Sequence, residues 1–150
     1  MLILVYTMTL LLAACGGGDS SSDSSAGTRF TGLQTIVVLG NASQAAFVMT
    51  VSGTTVTIND DDFTASGTLN GNNFTVTVPN FTATVDGITC TFTNLTYTGS
   101  ISGTTASGNL SGSAVCSGIT LSITGTFSAN SGSGKQVINT FSQAVVELAK

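Results

Sequence analysis

From Phe30 to Phe127 apolar residues recur at every second position, and turn-forming residues interrupt them roughly every 8 to 12 positions. This is the pattern of antiparallel strands with one buried face. The turns can be tested by asking whether apolar residues then face each other across each hairpin. Gly53-Thr54 as a two-residue loop sets Val51 opposite Val56 and Met49 opposite Ile58. A four-residue loop over Asn59-Asp60-Asp61-Asp62 sets Ile58 opposite Phe63 and Val56 opposite Ala65. Asn70-Gly71 sets Gly67 against Phe74, Ala65 against Val76 and Phe63 against Val78. Pro79-Asn80 sets Val78 opposite Phe81, Asp86-Gly87 sets Ala83 opposite Cys90 and Phe81 opposite Phe92, and Ser117-Gly118 sets Ala114 opposite Leu121. A slip of one residue would turn each of these side chains to the wrong face, so their agreement predicts a meander of sequential neighbours.

One break in phase stands out. The apolar positions are even at Ile88, Cys90 and Phe92, then odd at Leu95, Tyr97 and Ile101. A one-residue bulge near Thr93-Asn94 restores the pattern. With a Gly103-Thr104 turn, Tyr97 then faces Leu110, Phe92 faces Ala114 and Cys90 faces Cys116. The bulge thus predicts a cross-strand Cys90–Cys116 disulfide, two buried free thiols being the alternative.

Upstream, Leu33 to Leu39 reads as a strand whose pairing the pattern leaves open, with Gly40 to Gln44 as its loop. The total is eight or nine strands. An open sheet of that length leaves two adhesive edges, which closure removes. The expected fold class is therefore all-β: an up-and-down barrel over residues 30–130, with a two-sheet sandwich as the alternative. The tail, residues 131–150, changes period. Val137, Ile138, Phe141, Ala144, Val145 and Leu148 recur at helical spacing. A short helix lying on the barrel or across one mouth is expected, a partner-binding helix being the alternative.

The amino-terminal stretch departs from all of this. Met1 to Leu12 is uncharged and almost wholly apolar, shorter than the roughly 20 residues that span a bilayer. It ends in Leu12-Ala13-Ala14-Cys15, followed by Gly16-Gly17-Gly18-Asp19 and a serine run. This resembles the lipobox of bacterial lipoproteins, although no Lys or Arg precedes Cys15. The resemblance implies a signal peptide over residues 1–14, with Cys15 as the lipidated first mature residue. The chain would then be anchored to the bacterial envelope, extracytoplasmic, and more in the manner of outer- than inner-membrane lipoproteins because Gly16 rather than Asp follows the cysteine. By the same resemblance residues 15–29 would be the lipidated cysteine and its tether. Gly16 to Thr28 holds only Gly, Ser, Asp, Ala and Thr, with an r.m.s. reach of about 20 Å.

Composition narrows the function. Three Lys and Arg face seven Asp and Glu, for a net charge of −4. Arg29, Lys135 and Lys150 cannot supply the contacts that a phosphate backbone needs, which excludes nucleic acid as a partner. Histidine is absent, so the usual nucleophile–base pairs are unavailable. The carboxylate cluster Asp60-Asp61-Asp62 sits on one hairpin loop rather than across a cleft, and no enzyme is expected. Asn59, Asp60 and Asp62 carry the oxygen atoms of a calcium site without EF-hand spacing, so the loop is a weak candidate and no cofactor is expected. Tryptophan is absent too, and the strand faces between the apolar ones are Thr and Ser, which disfavours a barrel embedded in lipid.

Two functions remain. One is an envelope structural or protein-interaction module. The other is a binding module whose lumen, lined by Phe47, Met49, Phe63, Phe74, Val76, Phe81, Phe92 and Phe127, would hold a lipid or small apolar ligand. That second reading resembles lipocalin-like barrels in general character.

Overall fold

The structure, a computed structural model, describes residues 27–132, 134 and 138–150. The expected signal peptide, Cys15 and the tether up to residue 26 lie outside the described residues, as do Lys135 and Val137. The described residues form nine strands and one helix. The strands are β1 (Thr28–Val38), β2 (Asn41–Ser52), β3 (Thr55–Asp60), β4 (Phe63–Asn70), β5 (Asn73–Thr77), β6 (Phe81–Val85), β7 (Ile88–Ser102), β8 (Thr105–Cys116) and β9 (Ile119–Ser131); α1 spans Phe141–Leu148.

Eight strands close a barrel. β1 to β5 pair in sequence, β5 pairs with β7, and β7, β8 and β9 pair in sequence. β9 returns to β1, with Phe30 opposite Ser131 and Val38 opposite Ile123. All pairs are antiparallel, and the strand that the sequence left unpaired, β1, is the one that closes the ring. Along β1 the inward positions Phe30, Ile36 and Val38 are buried, and along β9 so are Leu121, Ile123, Phe127 and Ala129. The alternation read from the sequence therefore marks the inner wall of a barrel rather than one face of a sandwich.

Several registers follow the sequence reading. Val51 faces Val56, Phe81 faces Phe92, Ala114 faces Leu121 and Tyr97 faces Leu110. The bulge lies between Thr93 and Thr96, where Asn94 takes a positive φ of 55°. Cys90 and Cys116 are opposite each other and joined by a disulfide, their Cα atoms 4.2 Å apart.

Four expected connections are corrected. Pro79-Asn80 is not a hairpin. β5 and β6 run collinearly along one edge of β7, with Thr77 opposite Thr96 and Phe81 opposite Phe92. The register is unchanged across the break, and Val78 N still donates to Leu95 O at 2.8 Å. Pro79 lacks an N–H, so it interrupts the ladder without turning the chain. The acidic loop has two residues, Asp61-Asp62, with Asp60 opposite Phe63 and Ile58 opposite Ala65. The next turn is Gly71-Asn72, which puts Leu69 opposite Phe74. Both shifts are by an even number of positions, so the inward face is preserved and the apolar pattern is blind to them. Last, Asn41 to Gln44 belongs to β2 rather than to a loop, since the Leu39-Gly40 turn has positive φ at both residues and needs no others.

The barrel wall is uneven. β2 pairs with β3 only from Val48 to Ser52, so Asn41 to Phe47 rise past the top of β3 and β4. On the far side of this notch β6 pairs only with β7. Helix α1 fills the notch, packing on β2, β1, β6 and β7. Phe141, Ala144, Val145 and Val146 are all fully buried there. Thr140 begins the helix as a capping box: its hydroxyl accepts from Gln143 N, and its own N–H donates to Gln143 Oε1 at 2.8 Å.

Candidate functional site

The lumen is occupied by aromatic rings. Phe127 lies 5.6 Å from Phe47, 5.9 Å from Phe74 and 5.8 Å from Tyr97, centroid to centroid. Tyr97 continues to Phe63 at 6.2 Å, and Phe63 to Phe81 and to Phe141 of the helix. Phe92 closes the chain, stacked on Phe81 at 4.6 Å and edge-on to Phe141. These spacings are those of favourable aromatic pairs. Glycine makes room for the ring at the centre. Gly99 and Gly108 face each other across β7 and β8, and a Cβ on either would come within 2.7 Å of Phe127 Cζ. The structure thus places all eight residues named as ligand-lining on the inner wall. Phe81 is half-buried and the other seven are buried, with the phenylalanines packed on one another.

At the helix end a polar string is threaded through this core. Tyr97 Oη donates to Gln34 Oε1 at 2.6 Å, and Gln34 Nε2 donates to Asp60 Oδ2 at 3.0 Å. The other Asp60 oxygen accepts from Phe141 N and from Asp62 N, both at 3.3 Å. Asp62 Oδ2 accepts from Ser142 N at 2.6 Å. Two carboxylates of the acidic turn thereby take N–H groups of the first helical turn that no intrahelical carbonyl can reach. Asp60 is 3% exposed. Its burial pushes the carboxyl up to about 6; the Phe141 and Asp62 N–H groups oppose this, and the charges of Asp62 and Asp61 add to it. Burial also raises the Tyr97 phenol well above its ordinary value, with the Asp60 charge adding to that and the bond to Gln34 opposing it.

This places the three residues of the weak calcium candidate. Asp60 and Asp62 are bonded to the helix, and Asn59 Nδ2 donates to Thr64 Oγ1 at 2.8 Å. Among the described residues, no group of three or more His, Cys, Asp or Glu is arranged to hold a metal ion. Gln34 was missed from the sequence. Its signal was its phase, since it occupies an inward position between Gly32 and Ile36 of β1. A polar residue on a buried face calls for a partner.

Clefts open on the surface of the described residues, three of them at distinct positions. One of about 370 Å³ lies beside the helix, between Val85, Gln143 and the Lys150–Asp86 ion pair, which is 2.8 Å long and exposed. The ion pair lowers the Asp86 carboxyl, chiefly through the hydrogen bond from Lys150. A second, of about 260 Å³, lies in the opposite mouth, where Phe30, Val51, Leu69 and Ile101 meet the turn residues Gly71-Asn72 and Gly103. The third is a shallow surface over Asn73, Thr75, Thr98 and Asn109 on the outside of the wall.

Fold and site together define a small eight-stranded antiparallel barrel with one additional strand, an aromatic core and a helix set into one end. No protein-family model matches the chain, and no curated protein matches it.

Proposed function

We propose that the chain is a lipid-anchored envelope protein whose barrel is a non-enzymatic structural or protein-interaction module. The anchor reading rests on Leu12-Ala13-Ala14-Cys15 and the Gly/Ser run after it, with the outer membrane favoured because Gly16 follows the cysteine. The module reading rests on one observation: the aromatic rings that would line a ligand cavity are spent on one another and on Phe141. A lumen filled in this way stabilises a rigid platform, each buried phenylalanine contributing about 1.5–3 kcal/mol. The outer wall offers hydroxyl pairs such as Thr84–Thr89 at 2.9 Å and Thr57–Ser66 at 2.9 Å, a polar, weakly charged surface for a partner.

A second reading, lipocalin-like binding of a small apolar ligand, draws support from the cleft at the mouth away from the helix, where Phe30, Val51, Leu69 and Ile101 meet polar turn residues. Metabolic labelling with an alkyne fatty acid tests the anchor: the wild-type chain takes up label and Cys15→Ser does not. Label on both, or on neither, refutes it. Cross-linking in intact cells then tests the module reading, which predicts a discrete protein adduct through the barrel wall.

A further inference from the structure

The two ends of the barrel differ in charge as well as in construction. Every carboxylate side chain among the described residues lies at the helix end: Asp60 at the end of β3, Asp61 and Asp62 on the β3–β4 turn, Asp86 on the β6–β7 turn and Glu147 on α1. At the other mouth the only charged side chain among the described residues is Arg29. That mouth is rimmed by three half-buried apolar residues, Val51, Leu69 and Ile101, above the buried Phe30. The chain also enters the barrel there. Gly27, the first described residue, is packed so closely on the Val51 carbonyl that a Cβ would collide with it, which fixes the start of β1 at this mouth.

We infer that this mouth is a docking surface for the phospholipid bilayer, so that the barrel rests on the membrane with its acidic helix end pointing away. The inference rests on the lipid-anchor reading of Cys15. Three physical arguments converge on it. First, the tether's r.m.s. reach is about 20 Å, and the barrel is about 30 Å long, taking twelve-residue strands tilted by about 40°. The helix end could meet the bilayer only if the tether ran back along the whole barrel. Second, tethering holds the mouth at high effective concentration next to lipid, so a small apolar rim suffices for docking. Third, anionic headgroups repel the carboxylate-bearing end and tolerate the end that carries Arg29. The tether's own Asp19 and Asp23 outnumber Arg29, so charge gives this mouth no net attraction to anionic lipid; it leaves the mouth less repelled than the helix end, where five carboxylates face Lys150. The exposed large apolar residues among those described, Leu39, Val115, Ile119 and Ile138, lie away from this mouth; Leu39 on the β1–β2 turn and Ile119 at the start of β9 share the helix end with Asp86 and Glu147.

The test uses the full-length lipidated protein in vesicles of phosphatidylethanolamine and phosphatidylglycerol doped with a nitroxide-headgroup lipid. With Cys15 acylated and Cys90 and Cys116 paired, one added thiol takes a fluorophore, either Asn72→Cys at the mouth or Thr84→Cys near the helix end. The mouth fluorophore should be quenched several-fold more than the other. It should stay so when residues 16–26 are duplicated to lengthen the tether. Equal quenching at the two sites, stronger quenching at Thr84→Cys, or loss of the contrast with the longer tether overturns the docking surface. If the intact mass lacks the diacylglyceryl group and the protein does not float with vesicles, the anchor reading falls and takes the docking with it. A lipidated protein with equal quenching loses the docking alone.

Discussion

At the open mouth the three hairpins β2–β3, β4–β5 and β7–β8 turn on glycine-first pairs, Gly53-Thr54, Gly71-Asn72 and Gly103-Thr104, each with positive φ at the glycine. At the helix end, β1–β2, β6–β7 and β8–β9 turn on Leu39-Gly40, Asp86-Gly87 and Ser117-Gly118, with positive φ at both residues. Both kinds match the twist of a hairpin and need nothing beyond themselves. The fourth turn at the helix end is different. Asp61-Asp62 joins β3 to β4 with neither residue at positive φ, a geometry that fits a hairpin less well. Asp60 accepts from Asp62 N across it, and Asp60 and Asp62 both hold the helix. One end of the barrel is therefore self-sufficient, whereas the other is completed by a segment some 80 residues away in sequence. Local turn chemistry builds the hairpins, strand pairing closes the ring, and long-range polar contacts tie the helix into one end of it.

The helix should matter most to stability. Phe141→Ala removes the ring that touches Phe63 and Phe92, and should cost about 3–5 kcal/mol in urea unfolding. Ile101→Ala, on the half-buried rim of the open mouth, should cost clearly less. Equal losses would mean that the helix is only laid on a finished barrel.

The disulfide comes next. It joins β7 and β8 near the helix end across 26 positions, and the paired change Cys90→Ala with Cys116→Ala should lower stability by about 3.5 kcal/mol. Thermal unfolding of the oxidised, reduced and doubly substituted forms measures it, and the last two should agree.

Third is pH. Asp60 has its folded-state carboxyl raised from 3.8 to about 6, so the folded protein binds a proton more tightly than the unfolded chain does. Its contribution to stability is greatest below pH 3.8 and falls as pH rises to about 6, by about 3 kcal/mol in all. Asp86 has the opposite sign, since its carboxyl is lowered by Lys150 and its contribution is lost on acidification. Urea midpoints from pH 4 to 7 for wild type and Asp60→Asn isolate the first effect, which the substitution should flatten.

Smaller effects sharpen the picture. Gly108→Ala drives a methyl into the Thr98 carbonyl oxygen, with Gly99 and Phe127 close behind, and should cost about 1–3 kcal/mol, measured by urea unfolding. Lys150→Ala, at an exposed ion pair, should cost less than about 1 kcal/mol in urea unfolding.

What the sequence discloses follows the same division. Period-2 alternation fixes which residues face inward, and the phase break at Thr93-Asn94 was enough to place a bulge and set Cys90 against Cys116. Alternation cannot distinguish registers that differ by two, which is why the Asp61-Asp62 and Gly71-Asn72 turns lay elsewhere than expected. Pro79 was ambiguous because a ladder break and a hairpin turn look alike in one dimension. The site at the helix end was least legible. Gln34, Asp60, Tyr97 and Phe141 sit on four separate elements, and only the closed ring brings them together.

The most direct test of the whole account is native mass spectrometry of the full-length protein, extracted from membranes in mild detergent. The chain should begin at Cys15, carry its covalent lipid, be two hydrogens light for the disulfide and hold no further mass. A reproducible additional mass that denaturation removes would contradict it, and would mean that the barrel opens to carry a ligand.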